Sequence, residues 1–62
     1  MSEFLVLTRP DKKPVYVVKA AIVEWYKSDT DARLTHINLI DGKFREVLET
    51  VEEVSNSYAS PR

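Results

Sequence analysis

The residues of this chain that can transfer a proton or bind a metal are few and widely spaced. His36 is the only histidine, the chain has no cysteine, and Asp29 and Asp31 share one polar loop. A lone histidine gives no nucleophile–base pair, and two carboxylates without the other ligands and the glycine of a calcium loop do not define a metal site. A single glycine also excludes a glycine-rich phosphate loop. We therefore expect a structural role for His36, no catalytic residue, no metal and no cofactor.

The large aromatic side chains indicate instead that the chain binds another protein. Trp25 and Tyr26 are adjacent in a predicted strand, so they point to opposite faces and only one of them can enter the core. In the last predicted strand, Phe44 and Leu48 share one face and Val47 lies on the other, which leaves apolar surface exposed in either orientation. Trp and Tyr are also enriched at interface hot spots. The predicted protein interface consists of Trp25, Tyr26, Phe44 and Leu48.

The basic residues support only an alternative function. Arg9, Lys12 and Lys13 cluster at the first predicted turn, and Lys19 follows the second predicted strand. A small nucleic-acid-binding transcriptional regulator would have to contact phosphates through these four residues alone. With 9 Lys and Arg against 10 Asp and Glu, the chain has a net charge of −1 and no overall basic character. We therefore expect a protein partner rather than nucleic acid.

The length of 62 residues predicts one small domain, ordered over residues 3–58 and followed by a tail at residues 59–62. A chain of this size buries only about 60% of the surface that its unfolded form exposes, and such domains usually need an additional source of stability. Disulfides and a zinc site are unavailable to it, so we expect a homo-oligomer, most simply a dimer. No apolar run of membrane-spanning length and no cationic leader is present, which predicts no membrane insertion and a cytoplasmic location.

Apolar runs bounded by turn residues predict five short antiparallel strands. These strands are expected at residues 4–9, 15–18, 22–27, 33–40 and 43–49. Residues 19–21 interrupt the pattern and are expected to form either a single helical turn or a bend. Asp41 and Gly42 predict a two-residue type I′ hairpin turn, because that turn requires positive φ angles.

Thr50 begins the last predicted element. The sequence "TVEE" is a capping box, in which the Thr50 hydroxyl accepts from the Glu53 N–H and the Glu53 carboxylate accepts from the Thr50 N–H. Val51, Val54 and Tyr58 have the spacing of one helical stripe, so a helix from Thr50 to Tyr58 is expected to pack on the sheet. The predicted fold is α+β, a small curled antiparallel sheet or barrel of four to five strands with one C-terminal helix. The predicted core comprises Leu5, Leu7, Val17, Val23, Ile37, Leu39 and Val54.

Four segments in this order resemble a known family and together span nearly the whole chain. They are "LTRPDKKPVYV" (residues 7–17), "AIVEW" (21–25), "LIDGK" (39–43) and "ETVEEV" (49–54). They are similar to the FlbD-like small flagellar proteins and related short prophage-borne proteins. The resemblance implies a non-enzymatic accessory protein with a flagellar or host protein as partner, linked in the flagellar case to motor output. The resemblance implies no catalytic residue in this chain.

The C-terminal half also looks like the last part of a LytTR-type DNA-binding domain, because both have the order strand, turn, strand, helix. The basic recognition surface that DNA binding requires is missing from this half. We therefore expect a small accessory or regulatory protein that acts by protein–protein interaction, with nucleic-acid binding as the alternative.

Overall fold

The computed structural model describes residues 3–59, which form five strands and one C-terminal helix. The elements are β1 (Phe4–Thr8), β2 (Pro14–Val18), β3 (Ile22–Lys27), β4 (Thr35–Leu39), β5 (Phe44–Val47) and α1 (Val51–Ala59). The predicted α+β class is confirmed. The strands form two antiparallel sheets, β1–β2 and β3–β4–β5, and these sheets are not closed into a barrel.

The connection between β2 and β3 is one of the two predicted alternatives, and the helix ends one residue later than predicted. Residues Lys19–Ala21 form a single 3₁₀ turn between β2 and β3. Ala59, where the predicted tail begins, is the last residue of α1, and residues 60–62 of that predicted tail lie outside the described part of the chain. Within residues 3–59 no helix is long and apolar enough to cross a membrane.

The turn between β4 and β5 contains three residues instead of the predicted two. The Gly42 N–H donates to the Leu39 carbonyl at 3.0 Å, and the Leu39 N–H donates to the Lys43 carbonyl at 2.8 Å. Gly42 has a φ of 85°, whereas Asp41 is not in the left-handed region. This pattern is a type I turn followed by one left-handed residue, so the predicted type I′ turn is wrong. Asp41 contributes through its side chain, whose Oδ1 accepts from the Lys43 N–H at 2.9 Å.

The turn between β1 and β2 has the same geometry but places a lysine at the left-handed position. The Lys12 N–H donates to the Arg9 carbonyl and the Arg9 N–H donates to the Lys13 carbonyl, both at 2.8 Å. Lys12 has a φ of 70°, which a residue with a Cβ atom adopts only at a cost of about 1–2 kcal/mol. The first hairpin therefore contains local strain that the second avoids through Gly42.

Replacing Lys12 with glycine is expected to stabilise the protein by about 0.5 kcal/mol. The relief of left-handed strain exceeds the extra conformational entropy that glycine has in the unfolded chain. Lys13→Gly is the matched control, since Lys13 is the next exposed residue of the same turn and has no positive φ. Urea denaturation should show opposite signs for the two variants, and a loss of stability in both would contradict the assignment of strain to Lys12.

A β-bulge in β3 determines which of its residues face the core. Ile22 lies opposite Leu39 and the next pair begins at Glu24, so Val23 is an extra residue on this strand. Because the bulge shifts the alternation, Ile22 and Trp25 pack against the core while Val23 is 61% exposed. The prediction that Val23 belongs to the core is therefore wrong, since it assumed uniform alternation along the strand.

The core is a single cluster drawn from both sheets and the helix. Its buried members are Leu5, Leu7, Val17, Ile37, Val47 and Val54. The predicted core is confirmed at five of these positions, and Leu39 is half-buried against the cluster. Val47 was not predicted because its strand face also carries Lys43 and Arg45 in the sequence. In the structure only the last residue of β5 reaches the interior, where Val47 lies opposite the buried Thr35.

The capping box at the start of α1 is confirmed. The Glu53 N–H donates to Thr50 Oγ1 at 3.0 Å, and the Thr50 N–H donates to Glu53 Oε1 at 2.9 Å. Val54 is fully buried and Val51 is half-buried, so this stripe of the helix packs on the core as expected.

Glu49 joins the two sheets just before the helix. Its carboxylate accepts from the Thr8 N–H and from Thr8 Oγ1, each at 2.9 Å, and its carbonyl accepts from Thr35 Oγ1 at 2.6 Å. Leu48 adds a backbone bond from its N–H to the Thr8 carbonyl at 2.8 Å. These contacts connect the end of β1 to the second sheet, and we refer to them as the Thr8–Glu49 bridge.

Candidate functional site

Three rings stack side by side on the outer face of the second sheet, one from each strand. The centroid of His36 lies 5.1 Å from that of Tyr26 and 4.6 Å from that of Phe44, with interplanar angles of 18° and 21°. We refer to Tyr26, His36 and Phe44 as the ring column. Tyr26 is 40% exposed and Phe44 is 53% exposed, so the column presents apolar area at both of its ends.

Strand register brings the three rings together. Tyr26 lies directly opposite His36 on the neighbouring strand. Phe44 lies opposite Asn38, two residues along β4 from His36, so Phe44 is a diagonal neighbour of His36 on the same face. Neighbouring strands are about 4.8 Å apart, which matches the spacing at which aromatic rings stack. The bulge at Val23 contributes as well, because it sets the alternation that turns Tyr26 outward.

A chain of hydrogen bonds fixes the orientation of His36 within the column. The Asn38 side chain donates from Nδ2 to Glu24 Oε2 at 2.9 Å, which leaves its Oδ1 to accept from His36 Nε2 at 2.9 Å. Glu46 lies on the other side, with Oε2 at 3.6 Å from His36 Nδ1. Asn38 and Glu46 therefore flank the two nitrogens of the imidazole ring, and the rings of Tyr26 and Phe44 cover its two faces.

A shallow groove runs beside the column and ends at the polar loop between β3 and β4. Its floor contains Ser28, which is buried and donates from Oγ to Glu46 Oε2 at 3.1 Å. The same oxygen accepts from the Thr30 and Asp31 N–H groups, each at 3.3 Å. Ser28 thus donates to the Glu46 carboxylate and not to His36, so these side chains do not have the serine–histidine hydrogen bond of a catalytic triad.

The rest of this loop is held by a local ion pair. Asp31 Oδ1 accepts from the Arg33 N–H at 3.0 Å, and Asp31 Oδ2 lies 3.1 Å from Arg33 Nη2. The hydrogen bonds from Arg33 lower the pKa of the Asp31 carboxyl below its usual range. Within residues 3–59, neither Asp29 nor Asp31 belongs to a group of three or more side chains of the metal-ligating types His, Cys, Asp and Glu.

The structure brings together two of the four predicted interface residues. Tyr26 and Phe44 are the ends of the ring column. Trp25 lies on the opposite face, half-buried, with its Nε1 donating to Ser55 Oγ at 3.0 Å and its ring 5.2 Å from that of Tyr58. Leu48 follows β5 at the Thr8–Glu49 bridge and is 36% exposed. Trp25 therefore attaches the helix to the second sheet, on the other side from the column.

The four basic residues proposed for the alternative function are divided between two ends of the first hairpin. Arg9, Lys12 and Lys13 are in the turn, where Arg9 Nη2 lies 3.1 Å from Asp11 Oδ2. Lys19 is at the other end, where its N–H donates to the Glu3 carbonyl at 2.9 Å and its Nζ lies 5.9 Å from the Tyr58 ring centroid. The β1–β2 ladder separates the two groups by about 17 Å, the length of a five-residue strand.

His36 is the residue of the ring column that sequence reasoning did not include. It lies on the outer face of β4, and its contact with Tyr26 and Phe44 depends on the strand register. A search for aromatic or imidazole side chains at outward positions of successive predicted strands would have found the set.

Comparison of the chain with protein-family models, with curated proteins and with solved structures finds no match.

Proposed function

We propose that this chain is a small non-enzymatic accessory or regulatory protein that acts by binding another protein through the ring column. The observation that carries the proposal is the stack of Tyr26, His36 and Phe44 on an outer sheet face. Rigid aromatic side chains contribute large contact area and lose little conformational entropy on binding. The hydrogen bonds of His36 hold the column in place before any partner arrives.

The strands at the two ends of the column extend the same surface. β3 and β5 are the outer strands of the second sheet, and an outer strand can pair with an added strand of a partner. A partner segment beside β5 would form backbone hydrogen bonds and place a side chain against the open face of Phe44. The second sheet thus offers a partner both an outer strand for backbone pairing and the aromatic side chains of the ring column.

The engaged state of His36 and Ser28 supports the non-enzymatic part of the proposal. Ser28 Oγ already donates to Glu46 and His36 Nε2 already donates to Asn38, so these two side chains offer no serine–histidine pair to a bound molecule. The resemblance to FlbD-like proteins supports the same class and suggests a flagellar or phage setting in the cytoplasm.

The charges around the column favour a protein over nucleic acid. Glu24 and Glu46 flank the rings on the same face, and their carboxylates would repel a phosphate backbone. The basic residues of the alternative function lie on the first hairpin instead. A transcriptional regulator would have to bind DNA or RNA at near-physiological ionic strength, with affinity that falls as salt is added.

Replacing Phe44 or Tyr26 with alanine is expected to weaken partner binding by about 2 kcal/mol or more, which is roughly 30-fold in Kd. The fold should persist, because removing an exposed ring from a stack lowers the free energy of unfolding by only about 0.5–1.5 kcal/mol. The tagged protein is captured from its native cells after cross-linking, and the partners are then titrated with purified wild type and variants alongside thermal unfolding.

Ile40→Ala is the control, since Ile40 is 74% exposed in the β4–β5 turn and lies outside the column. A partner lost by both column variants and kept by the control supports the proposal. Full binding by both folded column variants, or unfolding of both, would place the binding surface elsewhere.

A further inference from the structure

The outer face of the first hairpin is apolar and exposed, and neither the ring column nor the core uses it. Phe4 and Val6 of β1 point outward beside Val18 and Tyr16 of β2, with exposed fractions of 46%, 56%, 54% and 65% respectively. We refer to these four residues as the hairpin face. It carries no charge in a chain in which 31% of residues are charged. Towards the turn, it ends at the pair formed by Thr8 and Pro14.

We propose that a second copy of this chain covers the hairpin face, so that two first hairpins pack face to face in an isologous dimer. This goes beyond the proposed function, because it involves a different sheet and a different partner. The sequence predicts a dimer but places its interface on β3 and β5. The proposal assigns the contact to β1 and β2 and leaves the ring column accessible in the dimer.

The arrangement of side chains on the hairpin face is self-complementary. Phe4 pairs with Val18 and Val6 pairs with Tyr16, so the two aromatic residues occupy one diagonal of a square and the two valines occupy the other. The rings of Phe4 and Tyr16 meet edge to face at 5.9 Å along their diagonal. The face therefore alternates large and small side chains in both directions.

A two-fold axis in the plane of the interface brings each large side chain over a small one. If the axis runs across the strands, Phe4 lies over the partner's Val6 and Tyr16 lies over the partner's Val18. If the axis runs along the strands, Phe4 lies over the partner's Val18 and Tyr16 lies over the partner's Val6. Facing layers interdigitate when large and small residues alternate in this way. The pattern of the face thus allows a second copy to pack on it with large side chains against small ones.

The hairpin face accounts for about half of the area that a stable dimer requires. From the exposed fractions of its four residues, it presents roughly 400 Å² of surface, most of it apolar. A standard interface buries about 800 Å² on each partner, and about 56–65% of that area is apolar. The hairpin face would therefore form the apolar centre of such an interface, and the charged turn beyond Thr8 and Pro14 would contribute to its polar rim.

The test uses Val6→Glu, which places a carboxylate of each chain against an aromatic ring of the other chain within the proposed interface. Val23→Glu is the matched control, because Val23 has the same side chain, is 61% exposed and lies on the second sheet. Sedimentation equilibrium is measured for each purified protein over a range of concentrations. We expect a wild-type dimer, a rise of about 100-fold or more in the dimer Kd for Val6→Glu, and no change for Val23→Glu.

Thermal unfolding over the same concentrations shows whether each variant is folded. The Tm of the wild type should rise with concentration, whereas the Tm of Val6→Glu should not depend on it. If Val6→Glu does not fold, Tyr16→Ser takes its place, since Tyr16 is 65% exposed and its truncation leaves the backbone pairing intact.

A wild type that remains a monomer at about 100 μM would overturn the proposal and leave the face to a different protein or to a lipid surface. A dimer that survives both hairpin-face substitutions would also overturn it. Partner binding through the ring column is measured separately on the same variants, so either proposal can fail while the other stands.

Discussion

Ile37→Ala is expected to remove about 4 kcal/mol from the free energy of unfolding, which is comparable to the whole stability of a domain of this size. Ile37 is fully buried in β4, the central strand of the second sheet, and it pairs with Trp25 on one side and Arg45 on the other. Truncation leaves a cavity between the two sheets that no neighbouring side chain can fill without breaking a ladder.

Circular dichroism during urea denaturation at one protein concentration measures the loss. Ile37→Val is the control, because it removes a single methylene group and should cost only about 1 kcal/mol. A value for Ile37→Ala close to that of Ile37→Val would show that the two sheets do not share one core.

The substitution Glu49→Ala removes the carboxylate and is expected to lower the free energy of unfolding by about 2–3 kcal/mol. The side chain accepts two hydrogen bonds from Thr8, and a bond to a charged group contributes about 1.5–3 kcal/mol before allowance for partial exposure. Its loss leaves the Thr8 N–H without its carboxylate acceptor at the junction of the two sheets. Few other side-chain contacts in residues 3–59 join segments so far apart in the chain.

A double-mutant cycle separates the contribution of this contact from general damage. Thr8→Val removes only the hydroxyl, so the coupling between Thr8→Val and Glu49→Ala isolates the bond to Oε2 and should be about 1 kcal/mol. Glu52→Ala serves as a surface control, since Glu52 is exposed in the first turn of α1. If Glu49→Ala and Glu52→Ala lower the free energy of unfolding equally, the Thr8–Glu49 bridge adds no stability beyond the interaction of an acidic side chain with the start of the helix.

The elements of the fold could be predicted from the sequence because their signals are local. The capping box at Thr50, the alternation through Ile37 and the turn residues near Gly42 each act within a few positions. The bulge at Val23 could not be predicted, because it exists only in the pairing of β3 with β4. The left-handed lysine at position 12 was missed for a related reason, since the constraint comes from the hairpin and not from the residue type.

The candidate site was predicted in part. Tyr26 and Phe44 were identified from their residue types and from strand alternation, which fix the face on which each ring lies. The strand register that brings His36 between them is a long-range property, as is the packing of Trp25 on α1. The hairpin face was not identified as a binding surface. The sequence predicts Leu5, Leu7 and Val17 in the core, but it does not show whether another element covers the opposite face of their strands.

The Thr8–Glu49 bridge has a consequence for the rate of folding. The two residues are 41 positions apart, so the contact forms only after most of the chain has been drawn into one closed loop. Hairpins form within microseconds and short helices faster still, but elements of this length are not stable on their own. We therefore expect the meeting of the first hairpin with the end of β5 to limit the rate of folding, and folding to be slower than in a helical bundle of equal length.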